Sequence, residues 1–417
     1  MAQEYNWAKN YAFKAAHIHR PGSVDELRRL VARSPKIHAL GARHSFNGVA
    51  DSSGALIDLG GLDPGILIDE PGRTASVGAA TTYGALAAHL ESNGWALHNM
   101  ASLPHISLAG AIATGTHGSG DKSGSLATAV AARELVTATG DLIRIRRGEA
   151  GFAGMVVGLG AFGVVTRVTL DIEPSFKLRQ DAFAGLPWTT VLADFDRIMS
   201  AACSVSLITL WSNEAVDRLW LKAYLDDAGA AAAAVARWGV VPAPYPNITA
   251  SSGPDARLTE FGVPGPWSER LPHFQFQGTP GLLDQIQSEY MLPRRMATRA
   301  LAELRAIAQE IDRYLIVTEI RTVRRDDLWL SPCYGDDSVA IHFTWRSEPG
   351  PVHAITSKIE EMLLPLGARP HWGKVIHARA DRIARLYPRL SDFRDLARTY
   401  DPNGTFRNEF LETHVFG

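Results

Sequence analysis

The sequence predicts an α+β protein of two domains carried on one chain. Its 417 residues exceed what a single hydrophobic core organises. Residues 1–175 alternate short apolar runs with glycine-rich turns, whereas residues 176–395 hold longer helices and more widely spaced strands. A short apolar tail, 396–417, follows and is expected to return to the first domain.

In the first domain, Ser23 precedes Asp25 and Glu26, and Leu27, Leu30 and Val31 fall at helical spacing, so a capped helix is predicted over 23–32. Residues 36–40 form a short strand feeding a tight loop, and 82–93 form a helix closed by Gly94. A hairpin over 135–146 turns at Thr139-Gly140-Asp141, and the β-branched run 164–172 is a strand. In the second domain, 295–310 reads as a helix, Leu315–Val323 and 340–345 as strands, and the alanine-rich 228–238 as a surface helix. Pro-rich interruptions occur at 242–246 and at Pro264-Gly265-Pro266, with Trp267 as a structural anchor. A turn at Asp401-Pro402-Asn403-Gly404 precedes the tail.

Composition narrows the function classes. Hydrophobic residues make up 46% and charged residues 21%, with a net charge of -2, which offers no basic face to nucleic acid. The most apolar tract, 229–236, is too short to span a bilayer, and the residues from Met1 to Trp7 lack the pattern of a signal peptide. Cys203 and Cys333 stand far apart, so no disulfide framework is expected and a reducing cytoplasm fits. No His, Asp, Glu and Cys group has metal-ligand spacing, and no metal is expected.

Gly158-Leu159-Gly160-Ala161-Phe162-Gly163 matches the dinucleotide fingerprint in letters only. That fingerprint needs a helix after it, to receive a pyrophosphate, and here a strand follows. Its glycines are expected to serve close packing or a turn. Two other loops are more informative: Gly41-Ala42-Arg43-His44-Ser45-Phe46-Asn47, and the long run from Ala101 through Ser107 and Gly110 to Thr114-Gly115-Thr116-His117-Gly118. Glycine and small hydroxyl residues let backbone N–H groups converge on a diphosphate, although such loops can equally be plain turns.

Strand periodicity supplies a second signal. With a period of two, Leu315, Val317, Glu319, Arg321 and Val323 share one face, as do His342 and Thr344. Polar pairs within apolar strands read as the wall of a polar cavity or as a structural ion pair at a solvated face.

These loops look like those of the covalent flavoproteins of the vanillyl-alcohol-oxidase type, and within that family the chain resembles the alditol oxidases. The resemblance runs through Asn6-Trp7-Ala8, the His44 loop, Asn99-Met100-Ala101-Ser102-Leu103-Pro104-His105, residues 261–274 and 287–294, Glu319-Ile320-Arg321-Thr322-Val323, His342-Phe343-Thr344-Trp345, and residues 369–374 and 401–410. It implies an FAD-binding domain of two α+β subdomains and a substrate domain with an antiparallel sheet and flanking helices. It also implies FAD linked covalently through His44 and touched by Gly41, Ala42, Arg43, Ser45, Phe46, Ala101, Ser102, Ser107, Gly110, Thr114, Gly115, Thr116, His117, Val165 and Asn408. Relatives usually carry Gly-x-Gly-His-Ser where this chain has Arg43, which disfavours a positive φ and adds a cation.

The substrate implied is a small polyol, such as xylitol or sorbitol, with Ser102, Glu319, Arg321, Thr344 and Lys374 as its binding residues. Lys374 is the expected base with His342 as partner or replacement, Arg321 the stabiliser of developing negative charge, and dioxygen the electron acceptor. Ala101 holds a position that affects oxygen access in related enzymes. His105 and His117 are expected to bond backbone, and His371 and Trp372 to pack against the cofactor. A monomer with no nucleic-acid or membrane partner is expected. The alternatives are an aldonolactone oxidase of the gulonolactone-oxidase kind, a sugar-alcohol dehydrogenase, and a flavin-binding or sugar-binding protein without turnover.

Overall fold

Two small sheets organise the first half of the chain in a computed structural model that describes residues 3–244, 258–277 and 284–417. Met1, Ala2, Tyr245 and Pro246 of the sequence readings lie outside the described residues. The first sheet is parallel, in the order His17–His19, Ala55–Asp58, Ile37–Leu40. The helix Val24–Arg33 joins its outer strands. Ser23 caps that helix by accepting from the Glu26 N–H, and Leu27 and Val31 are its buried side. The second sheet is antiparallel, in the order Leu67–Asp69, Thr74–Gly78, Val164–Asp171, Val130–Val136, Leu142–Arg146. Its last two strands form the expected hairpin, with Gly140 at φ +82 in the turn. Thr82 caps the helix Tyr83–Ser92, and Gly94 follows its end at φ +77.

Leu27, Val77, Leu86, Val168, Phe393 and Phe406 belong to one core, so the C-terminal segment is part of the first half. That return begins upstream of residue 396, because Ala378, Ile383, Tyr387 and Leu390 already pack there. Each large side chain so buried stabilises by about 1.5–3 kcal/mol. Polar bonds fix the return: the Ile37 N–H donates to Thr405 O, and the Asn408 amide donates to the carbonyls of Gly48, Val49 and Asp51.

The second half is an antiparallel sheet, of nine strands among the described residues. Its middle runs Lys177–Ala184, Arg218–Tyr224, Ser204–Thr209, Leu315–Val323, Ser338–Arg346, Gln285–Pro293. The helices Trp188–Met199, Ala297–Ala306 and Pro349–Leu363 supply Val191, Ile198, Leu301, Leu304, Ile355 and Ile359 to the same core as Leu207, Ile320, Ile341 and Phe343. The alternate residues of those strands, Ser206, Glu319, Arg321, His342 and Thr344, are therefore turned to the other face.

Three details differ from the sequence reading. The helix expected over 295–310 is two, Ala297–Ala306 and Ala308–Asp312, because Ile307 leaves the helical region at φ -112, ψ 21. A register shift between Leu315 and Val317 removes Leu315 from the face shared by Glu319 and Arg321. The Gly158–Gly163 stretch leads into a strand, as expected, but Gly160 and Gly163 also line the cavity described below. Among the described residues, no helix is long and apolar enough to cross a membrane, and no metal-type cluster occurs.

Candidate active site

A cavity of about 390 Å³ lies between the two halves. One wall is built mainly from loops, the 41–46 loop with Ala101, Ser102, Ser107, Thr114, Thr116 and His117, joined by Gly110 of the helix Leu108–Ala113 and Val165 of the strand Val164–Asp171. The other is the polar face of the large sheet, carrying Glu289, Glu319, Arg321, His342 and Thr344, with Lys374 beside it.

The loop wall has no room for more side chain. A Cβ at Gly41 would stand 2.7 Å from Ser107 Oγ, and one at Gly110 would stand 2.9 Å from the same atom. Ser107 Oγ accepts from the Ala42 N–H at 3.2 Å, so the two glycine-rich loops are tied directly. Gly160 sits at φ +79 with the His38 ring where its Cβ would be. His38 Nε2 and Arg133 Nε, both buried and both on residues lining the cavity, have no hydrogen-bond partner. A cradle of bare backbone with an unsatisfied guanidinium N–H, that of Arg133, fits a bound diphosphate-containing cofactor. Two residues expected at the cofactor are not in this wall. Gly115 takes φ +68 in a turn against Pro332, and Asn408 spends its side chain on the carbonyls that dock the C-terminal return.

Arg43 adopts φ +63, so the loop keeps the left-handed path that glycine usually provides. Its guanidinium turns to Glu4 at 2.5 Å, and its carbonyl accepts from the Trp7 N–H. Arginine at this position thus takes the left-handed conformation itself. Beside it, the His44 ring lies against Trp7, with centroids 4.9 Å apart. Burial, helped by His105, lowers the His44 imidazole to about 4, so it is neutral near pH 7. A neutral ring nitrogen is the form that can act as a nucleophile.

On the sheet wall, register does the assembling. Glu289 pairs with His342, and His342 with Glu319, so three side chains stand abreast on adjacent strands. Glu289 is the hub. Its Oε1 accepts from Arg321 Nη2 at 2.6 Å and lies 3.2 Å from His117 Nε2, and its Oε2 accepts from Lys374 Nζ at 2.6 Å. Burial alone would raise this carboxyl, but Lys374, His117 and Arg321 outweigh it and hold it well below the usual range. Burial lowers the Lys374 ammonium, with Glu289 opposing. Burial and then Lys374 bring His342 down to about 4. A neutral His342 with Lys374 Nζ 2.6 Å from its Nδ1 carries its proton on Nε2, which donates to Thr344 Oγ1 at 3.0 Å. Arg321 also donates to Ser102 Oγ at 3.3 Å, and its Nε lies 3.7 Å from Glu319 Oε2. Glu319 and Arg321 are only 7% and 5% exposed, which removes the solvated-face alternative.

The structure therefore brings Ser102, Glu319, Arg321, His342, Thr344 and Lys374 to one cavity. Sequence reasoning missed Glu289. The strand Gln285–Pro293 carried the signal, because Gln285, Gln287 and Glu289 recur at period two and all line the cavity. It also missed His273, whose Nε2 lies 2.6 Å from Glu319 Oε1, and undervalued His117, which faces Glu289 through Nε2 while Nδ1 lies 2.8 Å from Gly118 O. His371, expected to pack, lines the cavity, accepts from the Gly373 N–H through Nδ1, and is kept neutral by burial.

The chain is similar to several known proteins. A family model described as an FAD binding domain matches residues 15–146, and one described as D-arabinono-1,4-lactone oxidase matches residues 274–414. The chain is 44% identical over 420 residues to an alditol oxidase of Streptomyces sp., covering 99% of each. It is 26% identical to the L-gulonolactone oxidase of Mus musculus, covering 98% of this chain and 97% of that one. The solved structure of a cholesterol oxidase from B. sterolicum superposes with a TM-score of 0.77 at 14% identity, covering 99% of this chain and 96% of that one. At that identity the likeness concerns fold alone, which is the two-part architecture of the vanillyl-alcohol-oxidase type.

Proposed function

Because the chain belongs to the family of FAD-dependent alditol oxidases, we propose that it oxidises the terminal primary alcohol of an alditol, such as xylitol or sorbitol, to the aldose, and passes the electrons to dioxygen to give hydrogen peroxide. The observation that carries this reading is the sheet wall: a closed set of donors and acceptors, internally neutralised, suited to an uncharged polyol. Residues 1–175 with the C-terminal return from about residue 378 hold FAD, residues 176–377 supply most of the substrate wall, and the protein acts as a cytoplasmic monomer.

His44, neutral and packed at a tilt against Trp7, is the nitrogen nucleophile for the covalent flavin link. When bound, FAD supplies the acceptor for the hydride leaving the substrate carbon. Glu319, Thr344 and Ser102 hold the chain hydroxyls. Lys374 Nζ takes the hydroxyl proton, which burial favours by making its neutral form accessible. Glu289 anchors Arg321 and the Lys374 amine, and balances the charge that Lys374 gains when it takes the proton. Arg321 stabilises developing negative charge on the substrate oxygen.

Two assays test this. Acid-precipitated protein should carry its yellow colour in the pellet, and His44→Ala should release it to the supernatant. Peroxide release with xylitol or sorbitol should exceed that with a sugar lactone. The lactone reading draws on the lactone-oxidase model over residues 274–414, but that relative is 26% identical, against 44% for the alditol oxidase. Peroxide from lactones alone would transfer the assignment. Flavin reduction without oxygen consumption would make the protein a dehydrogenase.

A further inference from the structure

Behind Glu319 lies a second polar chain that the reaction above does not use. Lys222 stands on the strand Arg218–Tyr224 and is 2% exposed. Its Nζ donates to Leu271 O, lies 3.4 Å from Pro272 O and lies 3.1 Å from His273 Nδ1. His273 Nε2 in turn lies 2.6 Å from Glu319 Oε1. The His273 ring is held edge-on by Trp220, with centroids 5.1 Å apart.

The direction of this chain follows from donor counting. An ammonium has three N–H groups and no acceptor, and here it meets two carbonyls and one imidazole nitrogen. Burial keeps the His273 imidazole below its ordinary value, with Glu319 opposing, which favours the neutral ring with a single proton. If Nδ1 accepts from Lys222, that proton is on Nε2 and points at Glu319. Burial brings Lys222 itself to about 7, held up by Glu319 and Cys203 and pushed down by Arg321. On the acid side of neutrality it therefore carries all three donors. The backbone of the same residue ties in the other substrate-facing group, because the His273 N–H donates to Ser102 O at 2.9 Å.

We infer that Lys222 and His273 are positioning residues for the alditol: Lys222 fixes the His273 tautomer, whose Nε2–H occupies Glu319 Oε1 and leaves the other carboxylate oxygen to accept a substrate hydroxyl. Neither residue touches the reacting carbon. Their loss acts on binding of the polyol chain rather than on hydride or proton transfer.

The inference rests on the alditol-oxidase reading, and wild-type turnover of xylitol tests that reading by itself. Lys222→Met and His273→Leu should raise KM for xylitol about 10-fold or more, the scale of one hydrogen bond to a charged group, with kcat changed much less. His273→Gln, which keeps one acceptor and one donor in line, should restore KM toward the wild-type value. A readout independent of turnover is the nitrogen NMR spectrum of histidine-labelled full-length protein on the acid side of neutrality. There the His273 signals, identified by their loss in His273→Gln, should show the Nε2–H tautomer in the wild type and lose it in Lys222→Met. An unchanged KM in both disrupting variants, an equal loss in kcat, or a His273 tautomer indifferent to Lys222→Met would each overturn the inference.

Discussion

The two walls of the cavity are made by opposite means. The loop wall works through backbone and through missing side chains: Gly41, Gly110, Gly160 and Gly163 leave space, and Ser107 ties one loop to the other. The sheet wall works through side chains on a regular lattice, where register alone sets Glu319, His342 and Glu289 abreast. One wall tolerates no added atoms, and the other tolerates no removed charge. A cofactor with many phosphate and ring atoms suits the first, and a small neutral substrate suits the second.

This contrast can be broken by substitution. The largest effect belongs to the sheet wall: Lys374→Met should lower kcat by about 10²–10⁴-fold while the flavin spectrum is kept. Turnover near the wild-type level would remove Lys374 from proton transfer. Next, Glu289→Gln should destabilise by about 3–5 kcal/mol, because it leaves the buried Arg321 guanidinium without its carboxylate and removes the anchor of Lys374. Denaturant unfolding measures this. The same carboxyl sets a pH dependence. Its folded value lies below its unfolded one, so its contribution is present above the ordinary carboxylate range and fades as pH falls below it. Wild type should therefore lose stability on acidification more steeply than Glu289→Gln.

The loop wall should answer to bulk. Gly163→Ala, at φ +143 with Val136 O 2.4 Å from the new Cβ, should cost about 1–3 kcal/mol and weaken flavin retention without touching the sheet. The smallest effect expected is that of Arg43→Gly. It relieves a left-handed arginine but loses the partly exposed pair with Glu4, so stability should stay within about 1 kcal/mol of wild type and the covalent flavin should remain. Loss of the link in that variant would give Arg43 a role in attaching the cofactor.

How far each wall was legible follows from the same difference. The paired Glu319 and Arg321, and His342 and Thr344, were readable because period two is a local property of a strand. The His44 loop was readable as glycine punctuation, and resemblance supplied the covalent role proposed for it. Glu289 was not found, although its strand shows the pattern, because its importance comes from long-range pairing with Ser338–Arg346. His273 sits on a short connection without periodicity, and only the fold brings it to Glu319. Asn408 was misplaced for the complementary reason: its segment is matched by resemblance, but its side chain works on the docking of the return, away from the cavity.

For this function the sheet wall must deliver an alditol's electrons to a flavin held in the loop wall. Anaerobic mixing of the purified, yellow protein with xylitol tests that directly. The flavin absorbance should bleach, and should recover with peroxide release when air is admitted. A flavin left unreduced by every alditol tried, or a protein that carries no flavin at all, would contradict it.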